Sequence, residues 1–196
     1  MREGKDIIHS RARAILAENL AQPPEFRLPE ALSANDYSRS VAEIYEKILF
    51  HGSRLHGLRS VRTCSEAGMV ADVSGAPPPN QWMESPLRNS WLCDPLALDS
   101  AFQMASLWCY EQRGYVSLPI HVASYRQFRP AFPTEGVTVV LEVREVTDKK
   151  MRGDFTFIDA NSAVVAHLAG YEAVMDPLLN RAFKPSEVPS HARDGG

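Results

Sequence analysis

Asp99 and Gln103 stand four residues apart in the stretch Asp94-Pro95-Leu96-Ala97-Leu98-Asp99-Ser100-Ala101-Phe102-Gln103, where almost every other side chain is apolar. A carboxyl group can hold or give up a proton, and an amide one helical turn away can orient it without changing charge itself. Ser106 is spaced to share their face. An ionised Asp beside so much apolar surface is costly to bury without partners. It must therefore line a cavity, cap something or meet water. Taken alone, the plainest reading of Asp99 is a solvated carboxylate near a helix N-terminus, where the helix dipole favours negative charge.

The element that positions these residues is well marked. Asp94 is a favoured N-cap and Pro95 suits the first helical position, where no backbone donor is needed. Leu98, Ala101, Phe102, Ala105, Trp108 and Cys109 recur at spacings of three and four and form an apolar face, and Gly114 terminates the run after Arg113. Around this helix the chain reads mostly as sheet. Residues 54–63, 68–73, 118–128, 137–146, 155–158 and 163–174 are expected strands; in the fourth, Val137, Val139, Leu141 and Val143 alternate with Thr138, Glu142 and Arg144. A turn is expected at Asp159-Ala160-Asn161-Ser162. Residues 40–50 read as a short helix with Val41, Ile44, Tyr45 and Ile48 on one face. Residues 7–17 fit either a strand or a short helix, and periodicity does not decide between them. A long helix wrapped by an antiparallel sheet is an α+β, hot-dog arrangement. The expected organisation is a remnant and proline-containing linker over 1–39, a hot-dog domain over 40–178 and a disordered tail over 179–196.

Composition narrows the function classes. The chain has 196 residues, 44% hydrophobic and 23% charged, enough for one sizeable domain. A net charge of −3 argues against a general nucleic-acid binder, which needs a basic footprint. No apolar run reaches membrane-spanning length and no secretory stretch follows the N-terminus, so no membrane association is expected and the cytoplasm is the expected location. Cys64, Cys93 and Cys109 are odd in number and lack metal-ligand spacing, which implies reduced thiols, no disulfide framework and no metal.

Three stretches carry a family resemblance. The Asp94–Gln103 segment resembles the "HPALLDAALQ" helix in the second half of polyketide synthase dehydratase domains, with Asp94 where that pattern often has His. Tyr45-Glu46-Lys47-Ile48-Leu49-Phe50-His51-Gly52-Ser53-Arg54-Leu55-His56-Gly57-Leu58 resembles the "Y..LFFHGPxFQGL" entry segment of that half, with Ser53 replacing the usual Pro and His56 the usual Gln. Leu118-Pro119-Ile120 and Tyr125-Arg126-Gln127-Phe128 resemble its "LP......YRQYR" strand. The chain is thus similar, from about residue 5 to residue 176, to the second, C-terminal hot dog of a dehydratase of the polyketide synthase or polyunsaturated fatty acid synthase type.

The resemblance implies dehydration of β-hydroxyacyl thioesters carried on the phosphopantetheine of an acyl carrier protein, with no further cofactor. In that family a His from the first hot dog removes the α-proton, and the Asp of a DxxxQ motif, here Asp99 with Gln103, protonates the departing hydroxyl. Such an acid needs a raised pKa near neutral pH, which an apolar tunnel supplies by desolvation. The HxxxGxxxxP motif that carries the His is absent. His121 to Pro130 keeps its His and Pro but has Tyr125 for the Gly, and it follows the Asp motif, so His121 reads as a decoy. The resemblance therefore implies an incomplete site. Its expected partners are a carrier protein and a first hot dog bearing the His, with self-dimerisation as the substitute for the latter. The segment 7–17, similar to a strand closing that first hot dog, suggests a piece of a larger synthase or one part of a split enzyme. Tyr125, Phe128 and Trp108 are candidate acyl-channel residues, with plain core packing as the simpler role, and His51, in the entry segment, is a candidate substrate-binding residue, with local hydrogen bonding that shapes the loop as the simpler role. His167 reads as an ordinary half-buried histidine. Arg54, Arg59, Arg62, Arg126 and Arg129 fit either carrier-protein contacts or a solvated strand face. Two other classes share the pattern: half of a product-template cyclase, and a non-catalytic acyl-binding or dimerisation module. A single-domain hot-dog thioesterase is a more distant reading, since it leaves the linker and the entry segment unexplained.

Overall fold

The computed structural model describes residues 10–34 and 36–182. In chain order these form α1 (Val41–Lys47), β1 (Leu58–Ser65), β2 (Gly68–Val73), α2 (Pro79–Trp82), α3 (Pro95–Arg113), β3 (Ser117–Gln127), β4 (Val137–Val146), β5 (Lys150–Ile158), β6 (Val164–Met175) and α4 (Pro177–Ala182). The six strands make one antiparallel sheet in the order β1-β2-β4-β5-β6-β3. Helix α3 carries the chain from β2 across the sheet face to the far edge, the hot-dog arrangement expected from the sequence.

The limits of α3 follow from its end residues. Asp94 Oδ1 accepts from the backbone N–H of Ala97 at 2.8 Å, while its Oδ2 accepts from Ala76 N–H at 2.8 Å, so one carboxylate caps the helix and ties down the loop after β2. Gly114 ends the helix in the left-handed region at φ 76°, which a residue with a Cβ adopts only at a cost. Between these ends Ala97, Ala101, Met104, Ala105 and Trp108 pack into a core shared with Met69, Val139, Leu141, Phe155, Phe157, Ala166, Leu168 and Tyr171 from the sheet. Each large side chain buried there contributes about 1.5–3 kcal/mol, which outweighs the weak strand and helix propensities of individual residues. Gly57 lets the chain leading into β1 lie directly on α3, because a Cβ at that position would run into Ser100 Oγ and the Leu96 side chain.

Several expectations are corrected. Residues 10–17 form neither strand nor helix and are exposed, whereas 1–9 lie outside the described residues. The linker does more than connect. Leu32, 1% exposed, covers Val70 and Val140 on the outer sheet face, and Tyr37 and Arg39 both bond Glu111 near the end of α3. Strand β1 starts at Leu58 instead of residue 54, because Ser53–Leu55 make a 3-10 turn. Strand β5 starts at Lys150 instead of residue 155: Thr147 N–H bonds Lys150 carbonyl, and Val146 then pairs with Met151. Residues 179–182, expected as disordered tail, complete α4. Leu179 packs on the core, and the Asn180 amide accepts from Val116 N–H and donates to Gly114 carbonyl. The rest of that tail, 183–196, lies outside the described residues.

Candidate active site

Four segments converge on one face of α3. Gln103 is fully buried, with hydrogen bonds at both its amide nitrogen and its amide oxygen. Its Nε2 donates to Asp99 Oδ2 at 2.6 Å and to Leu55 carbonyl at 2.8 Å. Its Oε1 accepts from the Tyr45 hydroxyl at 2.6 Å. The amide's sense is fixed by the carboxylate and the Leu55 carbonyl, which only accept: the nitrogen must face them and the oxygen the Tyr45 hydroxyl. Tyr45 is held in turn by Leu58 N–H, which donates to its hydroxyl oxygen at 3.0 Å, and by the His56 ring stacked on it at 3.8 Å. Burial first, then the Asp99 charge, push the Tyr45 hydroxyl up to about 12 against the opposing pull of the Leu58 and Gly57 backbone donors, so it remains a proton donor at neutral pH.

His51 completes the group. Its Nε2 lies 3.9 Å from Asp99 Oδ2, with the side chains 12% and 32% exposed respectively. Phe50 stacks on its ring at 4.4 Å, and the His51 carbonyl meets His56 Nε2 at 2.9 Å. Burial holds the imidazole below its ordinary value. The nearby Asp99 carboxylate opposes this and His56 adds to it. On the far side of Tyr45 and His56 lies an open groove of about 540 Å³, lined also by Val41, Ala42, Glu46 and Leu58; Asp99, Gln103 and His51 are not part of its lining. Asp99 thus presents a partly exposed carboxyl oriented by an amide, with an imidazole alongside: an arrangement able to exchange a proton with a bound molecule.

The other candidate residues lie elsewhere. Ser106 is buried and accepts from Ser117 N–H, linking α3 to β3. Trp108, 1% exposed, donates to Ser65 carbonyl at 2.7 Å and belongs to the core. Nine residues beyond Asp99, it falls on about the opposite side of the helix. Tyr125 packs on the core, with its hydroxyl on Gln127 Oε1, and burial followed by the charges of Cys93 and Asp94 raises its pKa, which places it near the start of α3. Phe128 is held through its backbone to Val165 carbonyl. His121 is exposed on β3, and His167 is half-buried on β6 opposite Arg126. Arg62 is tied to Asp72 and Arg129 to Asp159, whereas Arg54, Arg59 and Arg126 face solvent. The cysteines are free, no metal-holding cluster occurs among the described residues, and no described helix is long and apolar enough to cross a membrane. Tyr45, Leu55 and His56 went unassigned in the sequence, although all three sit in the entry segment that carries the resemblance.

The chain is similar to known proteins in sequence and in fold. A family model described as polyketide synthase dehydratase N-terminal domain matches residues 17–175. One of the polyunsaturated fatty acid synthase polypeptides of Thraustochytrium sp. is 26% identical over 175 residues, 83% of this chain and 6% of that polypeptide. The dehydratase domain from the CurF module of curacin polyketide synthase superposes with a TM-score of 0.61 at 16% identity, over 81% of this chain and 55% of that one. The dehydratase domain of a mycocerosic acid synthase-like polyketide synthase gives 0.61 at 20% identity, over 79% and 55%. The chain therefore spans about half the length of these solved dehydratases and a small part of the synthase polypeptide.

Proposed function

This chain belongs to the polyketide synthase dehydratase family, and from that membership we propose that it takes part in dehydrating β-hydroxyacyl thioesters presented on an acyl carrier protein, with Asp99 as the proton donor. The observation that carries the reading is the hydrogen-bonded series Tyr45–Gln103–Asp99, which orients one partly exposed carboxyl on an otherwise buried helix face. In the reaction a base removes the α-proton, the electron pair forms the new double bond, and the Asp99 carboxyl protonates the β-hydroxyl as it leaves as water. Gln103 keeps the carboxyl turned toward the substrate. The DxxxQ helix and the entry segment favour the second hot dog of the family for this chain, although the matching model is described as an N-terminal domain. A first hot dog then supplies the catalytic His. No strand among the described residues lies beyond β1 or β3, so the sheet offers it two edges.

The test is turnover of a β-hydroxyacyl pantetheine thioester by an assembly that joins this chain to a His-bearing hot dog, following the enoyl product. Asp99→Asn lowers kcat by about 10²–10⁴-fold with the circular dichroism spectrum unchanged. Unaltered turnover removes Asp99 from the mechanism, and an aromatic product in place of an enoyl thioester identifies a cyclase.

A further inference from the structure

An acid that gives its proton away in every cycle must recover it, and His51 is the one titratable side chain within ion-pair distance of Asp99 among the described residues. Its two ring nitrogens have different surroundings. Nε2 faces Asp99 Oδ2 at 3.9 Å, while Nδ1 is buried and meets no hydrogen-bond partner. A buried polar atom left unpaired costs about 1–3 kcal/mol and calls for an explanation. Stacking on Phe50 holds the ring, and the His51 carbonyl is engaged by His56, so the imidazole is placed by contacts on both its side chain and its backbone.

We propose that His51 is the proton partner of Asp99, its Nε2 taking up a proton after each turnover and returning it to the carboxylate. The inference rests on the dehydration reading and adds a residue to it. Dehydration breaks the Cα–H and Cβ–O bonds and forms the Cα–Cβ double bond. The α-proton goes to the base, and the hydroxyl departs as water with the proton that Asp99 held. Asp99 is left as a carboxylate beside the bare Nε2 of the neutral ring, whose own proton stays on the buried Nδ1. Nε2 takes up one proton, from the protonated base or a water, and passes it to Oδ2, so the ring returns to the tautomer it began in and the acid is restored. Burial favours the neutral ring and so favours this release. The groups facing His51 are Asp99, which attracts a proton to the ring, and His56, which repels one.

Two measurements decide the matter. On this chain alone, NMR titration of the His51 ring moves to lower pH in Asp99→Asn, because the carboxylate that supports imidazolium is gone. In the dehydrating assembly, His51→Gln lowers kcat by about tenfold or more with KM little changed. His51→Ala is rescued by added imidazole and not by pyrazole, which fills the same space but is too weakly basic to carry the proton. An unchanged His51 titration in Asp99→Asn, or a His51→Gln protein that turns over like the wild type, overturns the proposal. A coupled titration in a protein that forms no enoyl product would leave the proton pair standing and sink the dehydration reading instead.

Discussion

At the residue scale, the orientation of Asp99 depends on a hydroxyl that lies outside its own helix. Tyr45 both donates to Gln103 Oε1 and accepts from Leu58 N–H, so its removal has two separable effects. Tyr45→Phe leaves the buried Leu58 N–H without its acceptor, which costs about 1–3 kcal/mol of stability. It also leaves Gln103 Oε1 without its donor and loosens the amide that orients the carboxyl, although Leu55 carbonyl still holds the nitrogen. The expected outcome is a lower melting temperature together with a kcat reduced about tenfold at nearly constant KM, measured by thermal denaturation and by the enoyl assay. Full activity in a destabilised Tyr45→Phe protein would show that the carboxyl is oriented without this hydroxyl. The pairing of Asp99 with Gln103 was legible in the sequence because both lie on one helix, where a spacing of four settles the geometry. The approach of Tyr45, 58 residues from Gln103, was not, since a contact at that separation leaves no local pattern.

At the element scale, α3 is the part on which the site depends, and Asp94 joins it to the rest. Asp94→Ala loses the cap on Ala97 and the bond to Ala76 together. The cost is about 2–3 kcal/mol, or a melting temperature lower by about 5–10 °C. Asp94→Asn keeps one acceptor oxygen and should lose less than half of that. Equal losses in the two variants would mean that charge, and not hydrogen bonding, is what the helix end requires. How well each element could be read follows from its residues. The limits of β4 and α3 were legible because alternating valines and an Asp-Pro start are strong local signals. The first half of β5 was not, because Lys150, Arg152, Gly153 and Asp154 have weak strand preference. Pairing overrides that preference: Arg144 meets Asp154, and Arg152 meets both Glu145 and Glu172 across the neighbouring strands. Leu32 gave no periodic signal either, being a single apolar residue in a proline-bearing segment, yet it covers the outer face of β2 and β4.

At the scale of the whole molecule, three carboxylates join the sheet from one edge to the other. Asp72 on β2 bonds Ser60 and Arg62 of β1 and Thr138 of β4. Asp154 on β5 bonds Arg144 of β4 and Gly170 N–H of β6. Asp159 accepts from Asn161 and Ala163 N–H in the β5–β6 turn and pairs with Arg129, just beyond β3, at 2.7 Å. Burial alone would raise all three pKa values, but these donors outweigh it and hold each below its ordinary value. A folded-state pKa below the unfolded one means that the unfolded chain binds more protons as pH falls. The stabilisation is then complete above the ordinary carboxylate range and is lost as pH drops through the folded values. The melting temperature should therefore hold steady down to about pH 5 and fall increasingly below about pH 4. Asp159→Asn should lower stability at neutral pH, where the ion pair is intact, and flatten the acid slope, because one of the three groups no longer takes up a proton on unfolding. A variant with the wild-type slope between about pH 5 and pH 2 would show that Asp159 has the same proton affinity folded and unfolded, and the acid response would then have to come from Asp72 and Asp154, on the strands nearer β1.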